Sequence, residues 1–399
     1  MANSKQILWL QVFGLAMVQG AITLSWVIYN FYLPKLLVEF GFSKSLAVSL
    51  LILENALAVF MDPLMGSLSD KKQRWVASRF PFIMVGVLLS SGLFIAIPSV
   101  VTFVPPTTVF KFILPPLVVA WALAMTVFRS PVLSLLGRYA MPKSLPMAVS
   151  VLTLIGGIIG SFRIAANDLL LSFGPVATFA FGSFVLLGSA LVLRFIHPPE
   201  VVSDEPVDKH QAQSPLPISF LGLGSIFVLG GSFAWGYRLL LDGVSKFLKL
   251  ELNSDNIQLQ MVAFGLLAAF AALPAGLIAK KVGNLKAMLG GTGIVVLLML
   301  ILPLVGANII LLAPLAISSS FILNGTIPFA LGMVPPDRGG LGIGMYFGGV
   351  GLAMSIFGSI FSKPQAISPQ FAALMSAIAF CLVFGCVLSS NFIQRKPEI

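Results

Sequence analysis

The chain has 399 residues, of which 58% are hydrophobic and only 10% are charged, whereas a soluble domain carries about 25% charged residues. Such a chain has too little polar surface to face water on all sides, which excludes a soluble enzyme and makes lipid its solvent. The net charge of +10 does not indicate a nucleic-acid partner, because the basic residues stand in short clusters between apolar segments, a pattern typical of membrane topology.

Twelve apolar segments follow one another along the chain, and most are long enough to cross a bilayer as a helix of roughly 20 residues. They do not show the polar and apolar alternation of barrel strands. We therefore predict an all-α membrane protein with about twelve transmembrane helices. The predicted spans cover residues 7–33, 45–68, 80–98, 110–137, 147–171, 175–196, 218–241, 257–279, 287–305, 308–332, 341–361 and 367–391.

The longest polar stretch, residues 197–217, divides the spans six and six. Its acids and prolines are typical of a disordered linker. The two sets of six spans also echo each other, since Gly66 at the end of span two is matched by Gly276 at the end of span eight, and Trp26 in span one by Trp235 in span seven. We predict two pseudo-symmetric six-helix halves, residues 1–196 and 218–399, joined by that linker.

The distribution of Lys and Arg predicts an integral membrane protein with both termini in the cytoplasm, because cytoplasmic segments carry the excess of basic residues. With the N-terminus inside, fifteen basic residues fall on the cytoplasmic side: Lys5, Lys71, Lys72, Arg74, Arg79, Arg138, Lys143, Arg194, Lys209, Lys280, Lys281, Lys286, Arg338, Arg395 and Lys396. Six fall on the other side: Lys35, Lys44, Lys111, Lys246, Lys249 and Lys363.

Span two ends in Asp62-Pro-Leu-Met-Gly66-Ser-Leu-Ser-Asp70 and leads into a basic cluster. The glycine allows neighbouring helices to approach closely, and the carboxylate can cap or pair across helix ends. The pattern predicts a gate that locks one face of the bundle; the alternative is a loop that only fixes topology. The predicted gate residues are Asp62, Gly66, Asp70, Arg74, Arg79, Gly276 and Lys280.

The same loop resembles the signature of the major facilitator superfamily, in which a glycine and an aspartate precede basic residues. Further motifs resemble the sucrose–proton and glycoside–cation symporters, and bacterial pigment-delivery members carry similar loops. This resemblance implies a secondary transporter that binds substrate between its halves, or a non-transporting protein for pigment delivery or membrane assembly. The motifs are Leu33-Pro34, Phe40-Gly41-Phe42-Ser43, Pro63 to Asp70, and Arg79-Phe-Pro81-Phe82-Ile83.

Ionisable residues inside the predicted spans are the main functional signal, since a charge in hydrocarbon costs at least about 2.5–3.5 kcal/mol on insertion scales. Glu54 lies deepest in span two, so desolvation should favour its protonated form. We predict that Glu54 couples transport to protons; an ion pair with an arginine is the alternative. Arg129 is a candidate ligand for a substrate anion, or a partner of Asp62 or Glu54.

Three more charged residues lie within the predicted spans. Arg163 is a second candidate for binding an anionic substrate. Asp168 and Arg238 are expected near the outer surface, either solvated or paired locally, since Arg238 has Asp242 four residues on.

Polar residues recur on one face of span one at helical spacing, and such a face points to protein or a cavity and not to lipid. Their amides suit hydroxyl groups, and a tryptophan can stack on a sugar. Interhelical hydrogen bonding is the alternative. The predicted substrate ligands of this kind are Gln19, Thr23, Trp26 and Asn30, with Asn324 in span ten as a further candidate.

The sequence predicts no metal site and no cofactor, because both histidines, His197 and His210, lie in the linker. There is no Walker A motif, so ATP is not the expected energy source. We expect a monomer whose partners are the lipid bilayer, a small-molecule substrate and protons. The first expectation for the substrate is a sugar-like polar solute, and the second is an organic anion.

Overall fold

The computed structural model describes residues 7–76, 78–105, 111–163, 172–198, 219–254, 256–361 and 367–395. Within these residues twelve helical segments are long and apolar enough to cross a membrane, which confirms the predicted fold class. The spanning helices are α1 (Trp9–Glu39), α2 (Lys44–Val76), α3 (Phe80–Phe103), α4 (Leu114–Ser134), α5 (Leu145–Ser161), α6 (Pro175–Ile196), α7 (Phe220–Leu252), α8 (Gln258–Val282), α9 (Asn284–Val305), α10 (Ile309–Gly332), α11 (Gly339–Ile360) and α12 (Pro369–Arg395).

Several helices are longer than the apolar runs that predicted them. The helices α1, α2 and α7 continue past the predicted ends at residues 33, 68 and 241. Hydropathy marks the part of a helix that lies in hydrocarbon, whereas the helix itself continues into the polar boundary. In contrast, α5 ends at Ser161, and residues 164–171 of its predicted span lie outside the described residues, as does most of the predicted linker.

The beginning of α1 and the ends of α4 and α6 lie on one face of the bundle. The backbone N–H of Leu8 donates to Tyr139 O at 2.8 Å, and Gln11 Nε2 donates to Ile196 O at 2.8 Å. Because twelve helices cross in alternation, the end of α12 lies on this face too. We call it the basic face, since it carries Lys71, Lys72, Arg79, Arg138, Lys143, Lys280, Lys281, Lys286 and Arg338.

The two halves, α1–α6 and α7–α12, meet mainly along two helix pairs, α2 with α11 and α5 with α8. Glycines let the backbones of α2 and α11 touch. A Cβ at Gly340 would lie 2.5 Å from Gly66 O, and one at Gly351 would lie 2.7 Å from Asn55 O. Only glycine tolerates such an approach, which accounts for the glycine-rich sequence of α11.

The second pair repeats the contacts of the first, as the pseudo-symmetry requires. A Cβ at Gly276 on α8 would lie 3.0 Å from Pro146 O on α5, as Gly66 faces Gly340. One at Gly157 would lie 2.8 Å from Ala269 Cβ, just as Gly351 packs on the equivalent part of α2. The sequence echo between Gly66 and Gly276 therefore corresponds to equivalent positions in space.

Candidate functional site

A small cavity of roughly 50 Å³ lies between the two halves. The helices α1, α2 and α4 of the first half and α11 of the second half border it. Trp26 and Gly351 lie near the middle of their helices, so the cavity is at mid-membrane depth. Its lining residues are Trp26, Glu54, Asn55, Ala58, Ala122, Thr126, Arg129, Phe347, Val350 and Gly351. Three of the predicted site residues, Trp26, Glu54 and Arg129, are among them.

Glu54 is buried, with 6% of its surface exposed. The Tyr29 hydroxyl donates to its Oε1, whereas Oε2 has no hydrogen-bond partner among the described residues. No arginine in the described part of the chain pairs with Glu54, so the alternative of an ion pair is not what the structure contains. Its role in proton coupling stays a prediction.

Aromatic rings form the wall behind Glu54. The ring of Tyr29 lies 4.2 Å from that of Trp121, and Trp26 lies 5.0 Å from the same indole. Phe94 stacks on Trp121 with its ring centre at 4.9 Å. Rings packed at these distances hold one another in place, so the hydroxyl of Tyr29 is fixed in direction towards the carboxylate.

Arg129 forms an ion pair with Asp62, which is fully buried. Its Nη2 donates to Asp62 Oδ2, and Ser130 Oγ donates to Oδ1 at 3.5 Å. The guanidinium also lies 4.1 Å from the ring centre of Phe347 on α11, a cation–π contact between the halves. Of the two partners that the sequence left open for Arg129, the structure therefore contains Asp62. A role of Asp62 in the gate stays a prediction.

At the basic face, Asp70 of α2 joins the beginning of α11. Its Oδ1 accepts the backbone N–H of Gly340 at 3.0 Å, and Oδ2 accepts that of Leu341 at 2.8 Å. Arg79 Nη2 donates to Oδ1 at 2.6 Å. We call these four residues the carboxylate latch. A carboxylate at a helix N-terminus satisfies free N–H groups and complements the helix dipole, so the latch stabilises contact between the halves.

Most of the predicted gate residues fall at this latch or at its repeat. Gly66 lies beside it, against Gly340. Arg74 belongs to α2, but its side chain falls outside the described part of the structure. In the described part of the chain the repeat carries no second latch. Lys280, half-buried, stands at the position equivalent to Asp70, and Pro146, which lacks an N–H, stands at that of Gly340. The roles of Gly276 and Lys280 in gating stay predictions.

The other polar residues of α1 do not border the cavity. Gln19 and Thr23 face α5, since a Cβ at Gly156 would lie 3.4 Å from Thr23 Oγ1 and 3.9 Å from Gln19 Cγ. Asn30 is exposed and donates to Trp26 O at 2.7 Å. A contribution of these three residues to substrate binding stays a prediction.

Asn324 is the counterpart of Arg129 in the second half. Its Nδ2 donates to Ala272 O at 2.7 Å, just as Arg129 of α4 reaches Asp62 of α2. This contact joins α10 and α8, and Asn324 is not among the residues that line the cavity. The charged network is thus confined to the first half, and substrate binding by Asn324 stays a prediction.

The two remaining predicted arginines lie towards the opposite face. Arg163, just beyond α5, and Arg238 on α7 both have exposed side chains. Of the two alternatives left open for Arg238, the structure contains the exposed side chain, because Asp242 accepts Lys246 Nζ at 2.7 Å. Asp168 lies outside the described residues.

Sequence reasoning missed Tyr29, Trp121 and Phe347. Tyr29 follows Trp26 by three residues, so helical periodicity could have added it to the polar stripe of α1. Trp121 and Phe347 gave no such signal, because aromatic residues are common throughout these spans.

The fold matches solved structures over nearly the whole chain. The human organic anion transporter MFSD10 (TETRAN) superposes with a TM-score of 0.66 at 14% identity, covering 95% of this chain and 99% of that one. The Major Facilitator Superfamily transporter FucP in the outward conformation gives 0.65 at 13% identity, covering 94% and 97%. A bacterial homologue of the iron transporter ferroportin in the outward-facing state gives 0.64 at 16% identity, covering 96% and 99%.

The sequence itself matches no family model and no curated protein. The similar structures do not distinguish the sucrose and glycoside symporter group, so that narrower resemblance stays a prediction. Their shared architecture, together with the twelve spanning helices, assigns the chain to the integral membrane proteins that have the fold of major facilitator superfamily transporters.

Proposed function

We propose that this protein is a secondary transporter that moves a small polar organic solute by alternating access and is coupled to protons through Glu54. The observation that carries the proposal is the mid-membrane cavity between the halves, which is bordered by a buried carboxyl group with an unpartnered oxygen. Sites at this depth, between repeats, are where facilitator transporters bind their substrates.

The buried charges favour transport over a scaffold for pigment delivery or membrane assembly. Glu54 lacks an ion-pair partner among the described residues, and a carboxylate in such a place is costly. A purely structural protein would gain from an apolar residue at this position. A proton carrier, however, needs a group that is neutral in a dry site and ionises when water reaches it.

The conformer with the closed carboxylate latch is, in this proposal, the one closed to the cytoplasm. The excess of Lys and Arg assigns the basic face to the cytoplasm, and with it both termini. Opening towards the cytoplasm then requires Asp70 to leave the N-terminus of α11. Two of the similar structures are themselves outward-facing forms, which fits this assignment.

A second candidate substrate is an organic anion. Arg163 and Arg238 contribute one exposed cation from each half, towards the face opposite the carboxylate latch. Two such positive charges create an electrostatic potential that attracts anions. These arginines do not border the cavity, however, so the proposed function rests on Glu54 and not on them.

Transport in proteoliposomes tests the proposal. The purified protein is reconstituted, a proton gradient is imposed in either direction, and uptake is measured for a panel of sugars, amines and organic anions. We expect one class of solute to be accumulated above the level of protein-free liposomes, and only when the gradient is present. Absence of gradient-driven movement for every class, with folded protein in the vesicles, would contradict the proposed function.

A further inference from the structure

We propose that the cavity takes a cationic organic solute with a protonated amine, and that its ammonium group replaces the proton on Glu54. The protein would then exchange the solute for a proton and not carry both together. This inference rests on the proposed transport function and names its substrate class and the sign of its coupling. It follows from the charges that line the cavity.

The charges around the cavity cancel except at Glu54. Arg129 borders the cavity, but its charge is balanced by Asp62 two turns further along α2. From α1, the group that faces Glu54 is the neutral phenol of Tyr29. From α11, the lining residues are Phe347, Val350 and Gly351. Among the described residues, Glu54 is therefore the one group at this cavity whose charge has no counterpart.

The geometry at Glu54 leaves one carboxyl oxygen without a hydrogen-bond partner among the described residues. Tyr29 occupies Oε1, whereas Oε2 is buried and has no partner in the described part of the chain. An ammonium N–H can donate to Oε2 in a charge-assisted hydrogen bond. Trp26 borders the same cavity, and the face of an indole attracts an ammonium ion. Both features suit an amine attached to an apolar or aromatic body.

The proton balance of the exchange is simple. In the empty cavity Glu54 is a neutral carboxylic acid. The solute enters as an ammonium ion, the O–H bond of the acid breaks, and the proton leaves to water on the open side. The carboxylate then accepts a hydrogen bond from the ammonium group, and no other group changes charge.

This proton balance also determines whether the solute and the proton move in the same direction or in opposite directions. The cavity is neutral when it holds either the proton or the ammonium ion, and it carries one negative charge when it holds neither. Closing that charge into a dry site is unfavourable, so the empty, ionised protein should not change conformation. A neutral sugar cannot balance the negative charge of the Glu54 carboxylate, so Glu54 would have to hold a proton while the sugar is bound. The sugar and the proton would then move together, which is symport.

Three probes that differ mainly in charge test the substrate class: benzylammonium, benzyl alcohol and benzoate. Binding to the purified protein in detergent is measured by calorimetry in two buffers of different ionisation enthalpy, which reports proton release. We expect benzylammonium to bind, to release about one proton per bound ion, and to bind more weakly as the pH is lowered. Benzyl alcohol and benzoate should bind at least about tenfold more weakly.

Variants tie the effect to Glu54. E54Q should bind benzylammonium at least about tenfold more weakly and release no proton, whereas E54D, which keeps the charge, should still release one. D242N is the matched control, since it removes an acid that is paired with Lys246 away from the cavity and should behave as wild type. Melting temperature and helix content show whether each variant is folded.

The inference is overturned if benzyl alcohol or benzoate binds as tightly as benzylammonium, or if none of the three probes binds. It is also overturned if folded E54Q still binds the cation, or if E54D releases no proton. Proton-driven accumulation of a sugar or an anion in the proteoliposomes would also overturn it but leave the proposed transport function intact. If the proposed transport function itself is wrong, the proteoliposomes will accumulate no class of solute, and this result differs from a wrong substrate class.

Discussion

Asp70 near the end of α2 accepts the backbone N–H of Gly340 at the beginning of α11, at 3.0 Å. The two residues are far apart in the sequence and belong to different halves, so a single carboxylate joins the two halves at the basic face. It does so on one interface only, because the repeat has Lys280 and Pro146 at the equivalent positions.

The first prediction concerns this latch. Asp70→Asn should shift the conformational equilibrium towards opening at the basic face by about 1.5–3 kcal/mol, because a hydrogen bond to a charged group is worth about that much. A cysteine in place of the buried Ser69, in a chain whose native Cys381 and Cys386 are serine, should then react faster with a water-soluble maleimide. Equal labelling rates in the Asp70→Asn and Asp242→Asn variants would mean that this loop only fixes topology and does not hold the basic face closed.

A second prediction uses the close contact of α2 and α11. Gly340→Ala should loosen the basic face, because the new Cβ would lie 2.5 Å from Gly66 O and 2.7 Å from Asp70 Oδ1. Overpacking of this kind costs about 1–3 kcal/mol. The same labelling assay and the melting temperature measure it. The matched control is Gly385→Ala on α12, where a Cβ would meet nothing within 4 Å; an equal effect in both variants would refute the argument.

The ion pair between Asp62 and Arg129 gives a third prediction. Replacing either residue alone, as Asp62→Asn or Arg129→Gln, leaves one buried charge uncompensated and should destabilise the protein by about 3–5 kcal/mol. The double variant should recover much of that loss, since both charges are gone. Thermal unfolding in detergent measures all three. Additive losses in the double variant would mean that the two side chains do not act as a pair.

Much of the fold could be predicted from the sequence because lipid imposes a simple rule. Spans must be apolar and of a set length, and the repeated glycines at 66 and 276 marked equivalent positions. The burial of Glu54 followed from its depth in a span. Helical periodicity, in turn, placed Trp26 on a polar face of α1.

The partners of these residues could not be predicted, since they depend on which helices become neighbours. Asp62 meets Arg129 because α2 packs on α4, and Glu54 meets Tyr29 because α1 lies beside α2. Periodicity also cannot tell a cavity from a helix interface. Thus Trp26 borders the cavity, whereas Thr23, less than one turn before it, faces α5.

The fourth prediction concerns topology. Both termini should lie in the cytoplasm, because the basic residues concentrate on the face where α1 begins and α12 ends. Reporter fusions that are active on only one side of the membrane, placed at each end in turn, measure this. A signal from the outside at either end would contradict the orientation and with it the cytoplasmic assignment of the latch.

The most direct test of proton coupling through Glu54 is gradient-driven accumulation by proteoliposomes that contain wild type or Glu54→Gln. Glutamine keeps the size of the side chain but cannot bind and release a proton. With an imposed proton gradient, wild type should concentrate its solute, whereas folded Glu54→Gln should lose that accumulation while Asp242→Asn retains it. Normal accumulation by Glu54→Gln would contradict the account, because the coupling proton would then be carried elsewhere.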